Sequence, residues 1–597
     1  MTQNQWYEHP ANLVDLFEET ASRHAERNWI GAKTEAGTYR WIRYQAAAKR
    51  IDNLRAGLAG LGVSKGDAVG LIINNSIEWA LIAFAAYGLG ARLVPMYESE
   101  LEKTWRFIVQ DSGIKVLFVK DQKIYQQVAA YPGAIDSLQH VVLIRDDGEL
   151  TLEGLEAQGR ANPTPSIKPH WSEVASLIYT SGTSGNPKGV LLSHGNFTSN
   201  VRAAVEQYLT LGPQEVSFSI LPWAHSYGQT SELYLITYLG ASTAIMGSVD
   251  TLLEDIPLIR PTTLVAVPRV FNRIYAGIRE KIDHAGTLKR KLFEIARKEA
   301  RRARETGRKT ISSIVLDRIV FAPIRQKFGG RLRHASTGSA AMNPEVLYFF
   351  YDIGIPIYEG YGLTETTPVV STNSPLALKI GSVGRPIKDV TVTIDKSQLG
   401  DDSPDGEIVC FGPNVMLGYH NAPEKTKEVL VHDPELGTGV RTGDRGRLDS
   451  EGFLYITGRI KEEYKLENGK YVHPSAIEES IKLLACVANA MIFGDGKQYN
   501  VCLVAPNFGV VKKYAEQVGI DASDPEQLIK EERIINYIAD EIRNHLKGSY
   551  GEYEIPKKYH LIAEDFTVEN GMLTQTLKLK RREVFRRYGD ALNRLYD

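Results

Sequence analysis

Residues 179–189, Tyr-Thr-Ser-Gly-Thr-Ser-Gly-Asn-Pro-Lys-Gly, place three glycines, four hydroxyls and one lysine between two apolar segments. Glycines let backbone N–H groups approach a polyphosphate closely, and the hydroxyls of Thr180, Ser181, Thr183 and Ser184 add donors. Lys188 supplies a mobile positive charge. This composition fits a phosphate cradle better than an ordinary flexible turn. It is not a Walker A loop, which ends Gly-Lys-Ser/Thr and opens directly into a helix; here Lys188 is followed by Gly189. The flanks at 174–179 and 190–192 both read as short strands, so the run is expected to join strand to strand. A helix begins only near Asn196, with Phe197, Val201, Ala204, Val205 and Tyr208 on one face.

Around this loop the chain reads as α/β. A helix over 44–61 is followed by strands at 68–73, 115–120 and 141–145. The longest apolar stretch, 79–91, ends at Arg92 and is well short of the ~18 residues that suggest a membrane span, so it reads as a buried helix. From 383 to 457 short strands alternate with glycine turns, which fits a small β-barrel or compact β-unit. After Gly458-Arg459-Ile460-Lys461 the texture is α+β, with strands near 487–493 and 499–504 and an amphipathic helix near 531–546. The expected fold is therefore α/β, with a large N-terminal domain over 1–459 and a small mobile α+β domain over 460–597. One segment, 289–309, is rich in Lys and Arg, with Leu292, Ile295 and Ala296 spaced like a helix face. Interleaved Glu294, Glu299 and Glu305 favour a solvated helical hairpin, with peripheral contact to anionic lipid as the alternative.

Bulk composition narrows the function classes. The formal net charge of −2 argues against nucleic acid as the main partner. Cys410, Cys486 and Cys502 have no C-x-x-C spacing and fit neither a disulfide framework nor a zinc site, so they read as free thiols in a reducing compartment. The N-terminus lacks the basic-then-apolar pattern of a secretory signal.

Four further runs carry polar chemistry. In 358–366, Tyr-Glu-Gly-Tyr-Gly-Leu-Thr-Glu-Thr, Tyr361 can stack on a purine, Gly362 permits close backbone approach and Thr364 can donate to a phosphate. Glu365 can hold Mg²⁺, which takes one or two carboxylates plus phosphate oxygens. In Arg441-Thr-Gly-Asp444 the aspartate can accept from both hydroxyls of a ribose, although a lone Thr-Gly-Asp is often only a turn. His225 sits among aromatics in 220–229 and reads as a satisfied core histidine or as part of a site. Near the C-terminus, Asn570-Gly-Met-Leu-Thr-Gln-Thr-Leu-Lys578-Leu-Lys580-Arg-Arg582 ends a polar loop in cations, and periodicity does not separate Lys578 from Lys580.

Taken in this order, the motifs resemble the adenylate-forming superfamily of acyl-CoA synthetases, peptide-synthetase adenylation domains and firefly luciferase, over most of the chain. Residues 180–189 match its Thr-Ser-Gly-Thr-Thr-Gly-x-Pro-Lys-Gly signature, with Ser184 for the commoner Thr and with Gly182, Gly185 and Lys188 in register. Tyr361-Gly-Leu-Thr-Glu365 matches Tyr-Gly-x-Thr-Glu, and Thr442-Gly-Asp444 with Gly458-Arg459 matches the ribose-contact and hinge region. The resemblance implies that Ser336-Thr-Gly338-Ser339-Ala340 is the adenine-contact loop, that Lys461 is the hinge, and that Gly469, with Lys465 nearby, lines the pantetheine tunnel. Lys578 aligns with the family lysine, preceded here by Leu577 rather than glycine. That departure, with the Thr-x-Lys-Leu-Lys-Arg ending, points to the long-chain fatty acyl-CoA synthetases.

What the resemblance implies is a ligase using ATP, Mg²⁺ and coenzyme A to convert a fatty acid to acyl-AMP and then acyl-CoA. Lys578, Thr364, Glu365 and His225 would serve the chemistry. The alternatives are a ligase for another lipophilic or aryl acid, one that passes the acyl group to a carrier protein, and a silent nucleotide- or acyl-binding homologue. The expected location is cytoplasmic or peripheral on the inner face of the membrane, as monomer or homodimer.

Overall fold

The computed structural model describes residues 10–180, 187–208, 210–248, 251–397, 404–574 and 578–597. Ser181, Gly182, Thr183, Ser184 and Gly185 lie outside the described residues.

Ala68–Ile72 is buried along its whole length. Such a run suits a parallel strand covered on both faces. Among the described residues it sits in a seven-stranded sheet, in the order Gly418–Tyr419, Lys188–Ser193, Val174–Thr180, Arg92–Met96, Ala68–Ile72, Ile114–Val119, His140–Leu143. The hairpin flanking the glycine-rich loop closes this sheet's parallel part: Val174–Thr180 runs parallel to Arg92–Met96 and antiparallel to Lys188–Ser193, with Thr180 opposite Lys188. The loop thus joins strand to strand, as its flanks indicate. The following helix starts at His194, two residues earlier than the apolar pattern suggests, because Ser193 and Asn196 form a reciprocal capping box.

A second sheet, nine-stranded among the described residues, runs Arg385–Pro386, Val369–Thr372, Ile357–Gly362, His334–Thr337, Thr263–Ala266, Val216–Ser219, Ser242–Ile245, Asn28–Lys33, Tyr39–Arg43. Helices Leu13–Arg23, Ile77–Tyr87 and His194–Gln207 share one hydrophobic cluster with Leu71 and Leu192 of the first sheet and Trp29 and Ile30 of the second. They form the layer between the sheets. Ile77–Tyr87 is the buried helix expected from its apolar run, capped by Ser76 accepting from Trp79 N.

Thr391–Asp395, Gly406–Phe411, Gly437–Leu448, Leu430–Asp433 and Leu454–Arg459 form a separate antiparallel sheet. Beyond Arg459 come the hairpin Tyr464–Lys465/Tyr471–Val472 and the three-stranded sheet Val487–Phe493, Val501–Pro506, Lys558–Leu561, with its own apolar cluster. The architecture is mixed α/β, a large N-terminal domain with a small C-terminal one, and the three cysteines are free and buried. The basic segment is the helix Thr287–Thr306, but its buried side runs through Phe293 and Ala296, whereas Ile295 is exposed. The expected face was rotated: Phe293 packs on Phe321 and Phe349, and that aromatic contact sets which side turns inward.

Candidate active site

A cleft of about 3250 Å³ opens at the carboxyl ends of three neighbouring parallel strands, Thr263–Ala266, His334–Thr337 and Ile357–Gly362, and extends to the C-terminal domain. Open α/β sheets place ligands at such ends. Three backbone features shape the floor. A Cβ at Gly362 would lie 1.8 Å from the Pro368 carbonyl oxygen, so only glycine fits there. At Gly338 a Cβ would meet the Tyr227 ring at 3.4 Å. Ser339 has φ +73°, a left-handed conformation that costs a non-glycine residue about 1–3 kcal/mol.

On the hairpin side, Thr180 and Lys188 line the cleft. The Lys188 ammonium lies 5.1 Å from the centroid of the Tyr419 ring, within cation–π range. Tyr419 OH donates to Glu365 Oε1 at 2.8 Å. Tyr419 therefore bridges the lysine and the carboxylate. Burial, then the charges of Lys425 and Lys461, pushes the Lys188 ammonium below its usual range, while Glu365 opposes that shift. Thr364 opens the short 3₁₀ turn Thr364–Thr366, buried, with its hydroxyl 3.5 Å from Ser226 Oγ.

Asp444 is buried on the long strand Gly437–Leu448, and both of its oxygens are engaged. Tyr361 OH donates to Oδ2 at 2.6 Å, and Arg459 Nε lies 3.0 Å from Oδ1. A carboxylate has about four acceptor sites, which leaves capacity for two hydroxyls. Tyr361 also lines the cleft, its ring fixed by that phenolic bond.

Lys578 comes from the far end of the chain to the same place. Leu573 and Leu579 form an antiparallel bridge, and Thr574 N donates to the Lys578 carbonyl at 2.8 Å. Burial and then the Arg459 charge lower the Lys578 ammonium, while Asp444 and Glu365 pull the other way. The two lysines that periodicity leaves equivalent thus differ: Lys578 faces the Asp444 and Glu365 charges, and Lys580 acts on Glu100. Behind them, Arg581 anchors the loop through a two-pronged pair with Glu478 at 2.7 and 2.8 Å. His225 lines the cleft with Nδ1 accepting from Tyr227 N at 3.2 Å, which leaves the ring proton on Nε2. Burial, reinforced by Lys578, pushes its pKa down to about 3, so it is neutral at pH 7.

Lys461 is exposed at the cleft's rim, just past Arg459. Lys465 and Gly469 are not brought to the cleft; both are exposed on the hairpin Tyr464–Lys465/Tyr471–Val472, Gly469 at φ +84° in its turn. Sequence reasoning missed Tyr419 and Arg581, since a single tyrosine after a glycine and one arginine in a basic run carry no periodic signal. It also missed Glu232, wholly buried on the π-helical turn Gln229–Tyr234, a rare element often found at functional sites.

Comparison with known proteins places the chain. Residues 17–420 match the family described as AMP-binding enzyme, and 463–597 match AMP-binding enzyme C-terminal domain. The chain belongs to the AMP-binding enzymes. Among this AMP-binding enzyme's relatives, long chain acyl-CoA synthetase 7, peroxisomal, of Arabidopsis thaliana is 31% identical, covering 99% of this chain and 87% of the relative. The long-chain-fatty-acid–CoA ligase FadD15 of Mycobacterium tuberculosis is 29% identical, covering 92% and 91%. The adenylation domain of the carboxylate reductase of Mycobacterium chelonae has the same fold, with TM-score 0.78 at 22% identity over 98% of this chain and 91% of that one. The anthranilate CoA ligase AuaEII, solved with anthranoyl-AMP, gives 0.75 at 20% identity over 97% and 98%.

Among the described residues no group of three or more His, Cys, Asp or Glu could hold a metal ion alone. Glu365, a single carboxylate beside Lys188, suits a Mg²⁺ that arrives with nucleotide phosphates. No described helix is long and apolar enough to cross a membrane.

Proposed function

We propose that this AMP-binding enzyme activates a long-chain fatty acid with ATP to acyl-AMP and transfers the acyl group to coenzyme A, releasing AMP and pyrophosphate. The observation that carries the reading is the convergence of Lys578, Asp444, Glu365 and His225 on one cleft, in a chain whose relatives are named long-chain acyl-CoA synthetases.

A carboxylate is a poor acyl donor because its leaving group would be an oxide. Its oxygen therefore attacks the α-phosphorus, the bond from that phosphorus to the β-bridging oxygen breaks, and pyrophosphate departs. Lys578 lies between the two anions that repel each other, carboxylate and α-phosphate. Lys188, with the glycine-rich loop, takes the charge that grows on pyrophosphate. Glu365 would hold a Mg²⁺ together with phosphate oxygens, and the ion would supply further charge neutralisation. Gly338 and Ser339 border the base, Tyr361 holds it by its ring, and Asp444 takes the ribose hydroxyls. His225, neutral with its proton on Nε2, can donate to the acyl carboxylate. Apolar Ala204, Leu211, Leu235, Ile236 and Leu239, lining one arm of the cleft, suit the hydrocarbon chain.

In the second half-reaction the thiolate of coenzyme A attacks the acyl-AMP carbonyl, and the bond to the AMP oxygen breaks. The residues for this step belong to a second arrangement. The segment from 460 onward turns about Lys461, withdraws Lys578 and brings Lys465 and Gly469 from the exposed hairpin to the cleft.

Lys578→Ala is expected to abolish fatty-acid-dependent ATP–pyrophosphate exchange while thioester formation from supplied acyl-AMP survives. If exchange survives, the assignment of Lys578 fails. A panel of acids from short to very long, with free coenzyme A present, tests the substrate class: product that remains acyl-AMP would point to a carrier protein as acceptor.

A further inference from the structure

The helical hairpin made by Thr287–Thr306 and the run from Ile311 through Phe321 has a solvent side that is apolar as well as basic. Ile311, Ile314, Val315 and Ile319 recur at i, i+3, i+4 and i+8 and are all exposed, Ile311 by 84%. Leu288 and Ile295 on the companion helix are exposed by 81% and 53%. The Phe293–Phe321 ring contact at 6.1 Å sets Ile295 and Ile319 at the same level of this antiparallel pair. A surface helix normally turns such a spacing inward. Here the inward face is taken by Phe293, Ala296 and Phe321, and the second apolar stripe is left outside.

The charge around it is predominantly basic. Residues 287–321 hold eleven Lys and Arg against four Asp and Glu. The four acids are engaged within the protein: Glu294 with Arg279, Glu305 with Arg301, Asp317 with Arg325, and Glu299 with the hydroxyls of Thr310 and Ser312. Lys289, Lys298, Arg302, Arg308, Lys309 and Arg318 are exposed beside the apolar stripe. An amphipathic helix with basic flanks lies in the interface plane of an anionic bilayer, apolar side chains in the acyl boundary and cations among the headgroups.

We propose that this hairpin docks the protein on a lipid surface carrying anionic headgroups. The helix Pro268–Asp283, which packs on the hairpin, lines the cleft through Arg273, Ala276 and Glu280. One wall of the cleft therefore adjoins the docking hairpin, which would hold it near a bilayer in which an apolar acid is concentrated. The docking itself does not depend on which acid the site takes.

The test is flotation of the full chain with phosphatidylcholine vesicles, with and without phosphatidylglycerol. Binding is expected on the anionic vesicles and to weaken with salt. Both Ile311→Ser/Ile314→Ser/Ile319→Ser and Arg302→Glu/Lys309→Glu should lower the partition coefficient at least about tenfold. The reversal Lys530→Glu/Lys558→Glu on the C-terminal domain should leave it unchanged. All these side chains are exposed, so tryptophan emission and pyrophosphate exchange without vesicles should match the parent protein. Equal flotation of all variants, equal loss in both charge reversals, or no preference for anionic vesicles overturns the proposal. So does a serine variant that turns a dimer into a monomer without changing flotation, which would give the face to a second copy.

Discussion

Glu232 offers a quantitative test of how burial competes with hydrogen bonding. Its side chain is inaccessible, and its carboxyl accepts from Ser219 Oγ at 2.6 Å, Ile220 N at 2.9 Å and Leu221 N at 3.1 Å. Those bonds favour the charged form and burial opposes it. Burial wins, raising the group from 4.5 to about 8. Between these two values the native protein holds a proton that the unfolded chain has released, so stability falls as pH rises, by about 1.4 kcal/mol per unit. At pH 7 roughly 3 kcal/mol is forfeited relative to pH 4, and above pH 8 the loss levels off. Glu232→Gln keeps an amide oxygen for the backbone donors and removes the titration. Its stability relative to the parent should therefore climb from pH 5 to 8 and then level off. Urea unfolding followed by tryptophan emission is suited to this, because all seven tryptophans lie at or before Trp223 and report only on the N-terminal domain. Two of them, Trp79 and Trp223, touch at 5.6 Å beside the loop that Glu232 holds. A stability difference that is flat across this range would mean that Glu232 is ionised throughout and that three hydrogen bonds outweigh full burial.

Asp444→Ala should raise the KM for ATP about 10- to 100-fold, the worth of hydrogen bonds to a charged group, read by pyrophosphate exchange at varied ATP. Tyr419→Phe keeps the ring under Lys188 and removes the donor to Glu365; about a tenfold drop in kcat for adenylation is expected, with a larger drop for Tyr419→Leu. Arg581→Met leaves Glu478 buried without its partner and should destabilise the C-terminal domain by ~3–5 kcal/mol. Limited proteolysis beyond residue 460 would detect this, the tryptophan transition should not move, and Glu478→Leu in the same chain should restore most of the loss.

The parts legible in the sequence are those fixed by local pattern. Val487–Phe493 was readable because its apolar run, broken only by Asn489, ends in Met-Ile-Phe, and the strand–loop–strand grammar around Lys188 followed from the glycines and the short apolar flanks. The side of Thr287–Thr306 that turns inward was not readable. Leu292, Ile295 and Ala296 have helical spacing as good as that of Phe293 and Ala296, and only the rings of Phe321 and Phe349, distant in sequence, choose between them. Periodicity could not separate Lys578 from Lys580 for the same reason, and only the family resemblance singled out Lys578, since what distinguishes them is Asp444 on one side and Glu100 on the other. The π-helical turn at Glu232 leaves no mark in periodicity, because one extra residue per turn over six positions is smaller than the scatter of any apolar pattern.

Arg459 ends the strand that leads into the C-terminal domain, and its guanidinium rests on Asp444, the carboxylate we propose for the nucleotide's ribose. The two partners of Asp444 thus belong to different events, one to cargo and one to posture. Any nucleotide state that grips Asp444 more firmly in one orientation of the C-terminal domain must favour that orientation by the same factor, because linkage runs equally in both directions. A single carboxylate oxygen pair is then enough to let the contents of the cleft be felt at the joint, with no relay of side chains between them.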